Sequence, residues 1–383
     1  MKIGIMTFWW SNDNYGQLLQ CYALQKYLRD AGHDAYLIRY NPSEDGTSVT
    51  PPHRKLVKAL NPVRLSRYIN YKIRARKIAE ERRVHDRGFF NFRERYIAQS
   101  EKIYGSYQEL KDSPPEADCY IVGSDQVWNF SFYGSDLKYK LPVIHAYFLD
   151  FGSPDVKRMS YAASWSVDFL SKELIEEIKP LLQKFSYVSV REEHGIELCR
   201  QCGRDNAQWV CDPTLLLTPE KYRSLYQSEG GHPPITGRYL FLYMLANSHR
   251  FDIQKVYDFA KKKDLQVVYV TGNGVLDKRE KCFATIPEWL SLVDNAEYVV
   301  TNSFHCCVFS ILFRKQFGVV SLKGKLSGMN TRMESLFKQL KIEPRWLQED
   351  FSVLDREYKI DLRSMSDNNE ILISKLPPPL YIG

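Results

Sequence analysis

Residues 299–313, Val299-Val300-Thr301-Asn302-Ser303-Phe304-His305-Cys306-Cys307-Val308-Phe309-Ser310-Ile311-Leu312-Phe313, read as the end of a buried strand, a polar turn, and an apolar helix that starts at the turn. A short side-chain oxygen on Asn302 or Ser303 can accept from the free amides of the first helical turn. His305 then projects from that turn, beside amides that point outward with partial positive charge. Such a turn suits an anion, with a titratable group held next to it. A capped core helix with an incidental histidine fits the same letters, and only the rest of the chain separates the two.

Outward from this stretch the chain repeats strand and helix patterns. Strand 239–245 leads to helix 250–263, and strand 266–270 leads to Thr271-Gly272-Asn273-Gly274. A helix over 287–294 precedes the opening stretch. Strand 317–321 and a helix near 331–340 follow it. Upstream, the run from Gln227 to Gly237 is a linker by composition.

The N-terminal part opens with an apolar strand over 2–8, the polar turn Ser11-Asn12-Asp13-Asn14-Tyr15-Gly16, a helix from Gln17 to Ala31 and strand Ala35–Tyr40. This βαβ opening places a polar loop where open α/β sheets bind ligands. It is not a dinucleotide fingerprint, since Gly16 stands alone where three glycines are required. Further strands end at Gly123-Ser124-Asp125-Gln126-Val127-Trp128-Asn129, at Ser164-Trp165-Ser166, at Arg191-Glu192 and at Asp212-Pro213-Thr214. Asp125, Ser164, Arg191 and Asp212 thus recur at the carboxyl ends of successive strands, which predicts a shared cleft.

A length of 383 residues exceeds the size at which single cores stop growing, so two domains are expected. We read them as 1–226 and 238–340, with a tail over 341–383 that packs back on the first. The start Met-Lys-Ile-Gly-Ile-Met-Thr-Phe reads as a strand and not as a signal peptide. No run approaches the roughly 18 apolar residues of a membrane span. A cytoplasmic protein with reduced cysteines is the expectation. Cys199-Arg200-Gln201-Cys202 has His194 and Cys211 nearby but no second close pair, so it reads as a helix end before Gly203 and no metal is expected. Residues 51–100 hold 14 Lys or Arg against 4 Asp or Glu. Residues 52–98 therefore form a basic helical insertion. It is either a solvated element or an arm for the inner membrane face or an anionic substrate. Nucleic acid is not expected, because no binding motif accompanies the charge.

Five segments in order resemble the polysaccharide pyruvyl transferase family: Ile121-Val122-Gly123-Ser124-Asp125-Gln126-Val127-Trp128-Asn129, Tyr161-Ala162-Ala163-Ser164, Val188-Ser189-Val190-Arg191-Glu192, Asp212-Pro213-Thr214-Leu215-Leu216 and Thr301-Asn302-Ser303-Phe304-His305. Asn14-Tyr15-Gly16-Gln17 and Asn330-Thr331-Arg332 add to the resemblance, which runs over about residues 1–340 with the basic insertion as its least typical part. It implies a GT-B-like fold of two Rossmann-like domains facing a cleft, which agrees with the two α/β units. It also implies transfer of the pyruvyl group of phosphoenolpyruvate onto two hydroxyls of a sugar acceptor, free or as a lipid-linked oligosaccharide, with no cofactor. The alternatives are a glycosyltransferase of the same fold that uses a nucleotide sugar, and a non-catalytic surface-binding protein resting on the basic insertion.

The resemblance makes His305 the general acid or a phosphate ligand, and Arg191 a fork for carboxylate or phosphate. For Arg191 an ion pair with Glu192 or Asp212 is the structural counter-reading. Arg332 is a second anion ligand on this reading. Asn302, Ser303, Asn14, Gly16 and Ser164 complete the substrate-binding set. Asp125 is either the base for the sugar hydroxyl or a cap on its own turn. Trp128 and Trp165 are read as sugar-stacking or as core, and Cys306 and Cys307 as packing against the sheet.

Overall fold

The computed structural model of the chain describes residues 1–42, 62–134, 136–230, 233–245, 251–272, 274–322, 330–360, 372 and 374–376. The N-terminal strands are β1 (Lys2–Met6), β2 (Asp34–Tyr40), β3 (Gln99–Tyr104), β4 (Cys119–Val122) and β5 (Lys157–Ser160). They form one sheet in the order β3-β2-β1-β4-β5, with every pairing parallel. Single bridges from Met159 to Tyr187 and from Ala163 to Val190 continue it toward the short pair β6 (Ser189–Val190) and β7 (Gln208–Trp209). The C-terminal strands are β8 (Tyr239–Leu245), β9 (Gln266–Gly272), β10 (Tyr298–Thr301) and β11 (Gln316–Val319). Their sheet runs β11-β10-β8-β9 and is again parallel throughout. Strands such as β4, buried at every position, are what parallel sheets covered on both faces require. Two Rossmann-like α/β units, the GT-B-like class expected from the sequence, are therefore present.

In the opening stretch, β10 ends at Thr301 and a helix spans Phe304–Leu312. Ser303 caps it, its Oγ accepting from the Cys306 amide at 3.3 Å. All nine residues of that helix are buried. The N-terminal helix Tyr15–Asp30 is also buried over most of its surface. The two meet in one hydrophobic core that spans both units. Tyr15 lies stacked on Trp289 at 5.2 Å, and its hydroxyl donates to the Ala284 carbonyl at 2.6 Å.

The basic insertion is helical over Pro62–Val84 and Phe89–Tyr96; residues 52–61 of the expected arm lie outside the described residues. The tail divides. Phe351, Val353 and Leu354 pack on Leu240 and Leu242 of the second unit, contrary to the expectation, because Trp346 bridges to the edge strand at Val319 and carries the chain along that sheet. Leu372 and Leu376 join Ile3, Ile5 and Leu24 in the core of the first. Trp128 and Trp165 are fully buried against each other and Phe148, so they are core and not a sugar platform. The described cysteines near Gly203 are buried as well, and burial pushes the Cys199 thiol up to about 12.

Candidate functional site

The carboxyl ends of both sheets meet at Asp212, which follows β7 and is almost fully buried. Its Oδ1 accepts from the Thr214 amide at 3.0 Å and the Thr214 hydroxyl at 2.7 Å, which fixes the carboxylate on its own turn. Its Oδ2 then gathers the other elements. Arg191 Nη1 donates at 2.8 Å, Ser124 Oγ donates at 3.1 Å, and His305 Nε2 stands 3.6 Å away. Burial alone would raise the Asp212 pKa; His305 and Arg191 outweigh it and hold the carboxyl well below the usual range.

Arg191 leaves β6 directly and is buried between two acids, with Nε donating to Glu192 Oε1 at 3.3 Å. Burial works against its charge, but Glu192, Asp212 and Asp125 outweigh that and raise its pKa. Among the described residues its Nη2 has no partner. Arg332, on the helix Asn330–Gln339, is buried close by, and its Nε likewise has no partner among them. Both guanidinium groups lie over the ring of Phe304, at 4.4 Å for Arg191 and 5.9 Å for Arg332. Burial, and next the charge of Arg191, pull the Arg332 pKa down to about 10. Two buried guanidinium groups that repel each other and keep unspent donors carry the chemistry that can hold an anion.

His305 is 6% exposed and stands in the first turn of its helix. A Cβ on Gly16 would lie 2.2 Å from His305 Nδ1, so only glycine lets the first turn of the helix Tyr15–Asp30 approach that face of the ring. Nε2, facing Asp212, makes no hydrogen bond among the described residues and is the atom left for chemistry. The imidazole therefore belongs to the second unit, while its contacts belong to the first.

The structure brings together His305, Arg191, Arg332, Gly16, Asp125 and Ser164. Ser164 Oγ donates to Glu192 Oε1 at 2.6 Å, so it supports the acid beside Arg191. Asp125 Oδ1 accepts from the Gln126 amide at 2.8 Å, the turn role, while its charge also acts on both arginines. Asn14 precedes Gly16 with a buried, unpartnered Oδ1. Two of the expected ligands are committed to the backbone. Asn302 accepts from the Leu245 amide and donates to the Leu245 carbonyl, both at 2.7 Å, so it clamps β8 to the turn. Ser303 Oγ is the helix cap.

Sequence reasoning missed Asp212 as a site residue, together with Ser124, Glu192 and Phe304. The sequence places Asp212 at a strand end and beside Arg191 as an ion-pair partner, without a role of its own in the site. The arginine-acid-acid chemistry of the turns after β6 and β7 was the available signal. Gln20 was also missed: its side-chain oxygen accepts from the Ser124 amide and hydroxyl, both at 3.0 Å, which ties the first helix to the site. Among the described residues no three His, Cys, Asp or Glu side chains are grouped to hold a metal ion.

No curated protein sequence matches the chain. Among solved structures, the UDP-GlcNAc 2-epimerase of Methanocaldococcus jannaschii in complex with UDP-GlcNAc and UDP is similar at 12% identity and TM-score 0.48, over 98% of this chain and 100% of that one. The UDP-N-acetylglucosamine 2-epimerase of Rickettsia bellii is similar at 8% identity and TM-score 0.49, over 98% of this chain and 95% of that one. The family model described as polysaccharide pyruvyl transferase matches residues 14–324, which takes in Gly16, Asp125, Arg191, Asp212 and His305; the chain belongs to that transferase family.

Proposed function

We propose that the chain transfers the pyruvyl group of phosphoenolpyruvate to two hydroxyls of a sugar, with release of phosphate. The observation that carries the reading is the pair of unspent donors, Arg191 Nη2 and Arg332 Nε, buried beside His305. A donor with phosphate and carboxylate on adjacent atoms offers each guanidinium its own anion.

In the reaction, a proton adds to the methylene carbon and leaves an oxocarbenium-like centre at C2. A sugar hydroxyl attacks C2 and gives up its proton. The second hydroxyl then attacks as the C2–O bond to phosphate breaks, its proton leaving on the released phosphate, which yields the cyclic ketal. His305 Nε2 is the proposed proton donor, and Asp125 the proposed acceptor of the hydroxyl proton. Asp212 orients the imidazole and Arg191 together. The carboxylates of Asp125, Glu192 and Asp212 share the site with its cations. An incoming polyanion raises the proton affinity of every group around it, so donor binding loads the site with the proton the first step needs.

The acceptor on this reading is a sugar of a surface polysaccharide, free or carried on a lipid-linked oligosaccharide. Phosphate release from phosphoenolpyruvate, assayed with and without a panel of sugars and oligosaccharides, tests the reading. Release that depends on one acceptor and leaves ketal-linked pyruvate on it supports the proposal. Turnover of a nucleotide sugar, with no acceptor-dependent phosphate across the panel, would overturn it.

A further inference from the structure

The helix Pro62–Val84 is fixed along one row of side chains and bare along the opposite ones. Arg74, Ile78 and Arg82 recur every fourth residue and hold the protein: Arg74 donates to the Gly274 carbonyl at 3.3 Å, Ile78 packs on Gly274, and Arg82 pairs with Asp13 at 2.6 Å. Glu81, on the same side, pairs with Lys281. Two adjacent rows run along the far side, Tyr68-Lys72-Arg76 and Ile69-Ile73-Lys77. Tyr68, Ile69 and Ile73 are 56%, 48% and 47% exposed, although an apolar side chain at such a place normally finds cover. Their neighbours Lys72, Arg76 and Lys77 are exposed cations, and residues 62–79 contain no Asp or Glu.

We propose that this face docks on the surface of an anionic lipid bilayer. A soluble polyanion would need the cations but not the isoleucines. A second copy of the chain would bring the same cations and be repelled. A bilayer surface meets both demands, since its headgroups carry negative charge and its acyl boundary takes isoleucine and tyrosine side chains. The anchored row ends at Arg82 on the loop that carries Gly16, so the docking face lies on the order of 20 Å along the helix from the site. That distance suits an acceptor whose sugars project from the membrane. The docking itself does not depend on the donor chemistry proposed above.

Flotation of the full chain with vesicles tests the proposal. Phosphatidylcholine vesicles are compared with phosphatidylcholine–phosphatidylglycerol vesicles, for the wild type and two triple variants, Tyr68→Ser/Ile69→Ser/Ile73→Ser and Lys72→Gln/Arg76→Gln/Lys77→Gln. All six side chains are exposed, and an unchanged unfolding midpoint confirms that each variant folds. The wild type is expected to float with anionic vesicles only. The charge variant should lose affinity on the order of a hundredfold. The apolar variant should lose binding at low salt as well. Failure of the wild type to bind anionic vesicles, or equal binding to neutral ones, would overturn the proposal. So would wild-type affinity in the apolar variant, which would make the face a polyanion site.

Discussion

Gly16 and His305 are the most sharply constrained pair in the site, because they touch across the two units with no room for a methyl group. We predict that His305→Gln lowers kcat by about 10²–10⁴-fold, the range for loss of a positioned proton donor. Gly16→Ala should approach the same loss although it removes no functional group, since the new Cβ must displace the imidazole. Steady-state turnover with circular dichroism as a folding control checks both, and wild-type kcat in Gly16→Ala would remove the contact from the mechanism. Donor binding, measured by calorimetry in buffers of different ionisation enthalpy near neutral pH, should take up protons. Net proton release would argue against His305 or a carboxyl as the acid. At this scale the gathering of His305, Arg191 and Arg332 in one place was legible. The role of Asp212 was hidden, because its value lies in partners on other elements that no local spacing reveals. Asn302 was misread for the opposite reason. Its amide matches a backbone edge as well as it matches a ligand, and the edge of β8 is adjacent only once the strands have paired.

At the scale of elements, the loop Ser11–Gly16 is held from three sides. Arg93 donates to the Ser11 carbonyl at 2.8 Å, Arg82 pairs with Asp13, and a Cβ on Gly272 would meet the Asp13 carbonyl at 2.4 Å. Gly272→Ala must therefore push the loop, and Gly16 with it, away from His305. We expect kcat to fall on the order of 10²-fold, the sensitivity to misplacement near the reacting groups, without loss of the folded state. An unchanged kcat would mean that the loop is free to adjust. A second element-level prediction concerns pH. His145 joins its helix, Leu137–Tyr147, to Asp150 at 2.7 Å and to Glu177 at 2.9 Å. Asp150 is the main cause of its raised pKa, with burial opposing and Glu177 adding. A raised cation pKa stabilises the fold fully below the unfolded value of about 6.5 and loses that contribution as pH rises through the folded value. His145→Gln should therefore cost about 1.5–3 kcal/mol at pH 6 and less at alkaline pH, read from denaturant midpoints. Equal costs at both pH values would place the effect in packing. The basic helix was legible as basic and helical from its Lys and Arg content. Which row of it grips the protein was not, since its partners, Asp13 and Gly274, come from two different units.

Across the whole molecule, two units and a cleft are legible in the strand and helix pattern, but how firmly the units are joined is not. Helices buried at successive positions on every side are core helices; Phe304–Leu312 is buried throughout, and Tyr15–Asp30 at every position from Tyr15 to Gln25. Covering its own sheet accounts for only one face of each. The other faces meet, and Tyr15, Trp289, Tyr243 and Phe309 lie in a single core with edge and stacked contacts between the rings. An interface between units that is apolar and packed like an interior should not open freely, in contrast to the usual mobile contact between domains. Calorimetry of the wild type should therefore show one cooperative transition. Tyr15→Ala removes the ring that stacks on Trp289 and leaves the Ala284 carbonyl without its donor, at a cost of about 3–5 kcal/mol. We expect it to split the transition in two, with the units melting separately. Inorganic phosphate at a hundred times its Kd should stabilise the wild type by about 2.7 kcal/mol, and Arg332→Gln should abolish that gain. Because the proposed anion site draws Arg191 from one unit and Arg332 from the other, phosphate should also bring the two transitions of Tyr15→Ala closer together. Two transitions that stay apart at saturating phosphate would show that the anion is held by one unit alone.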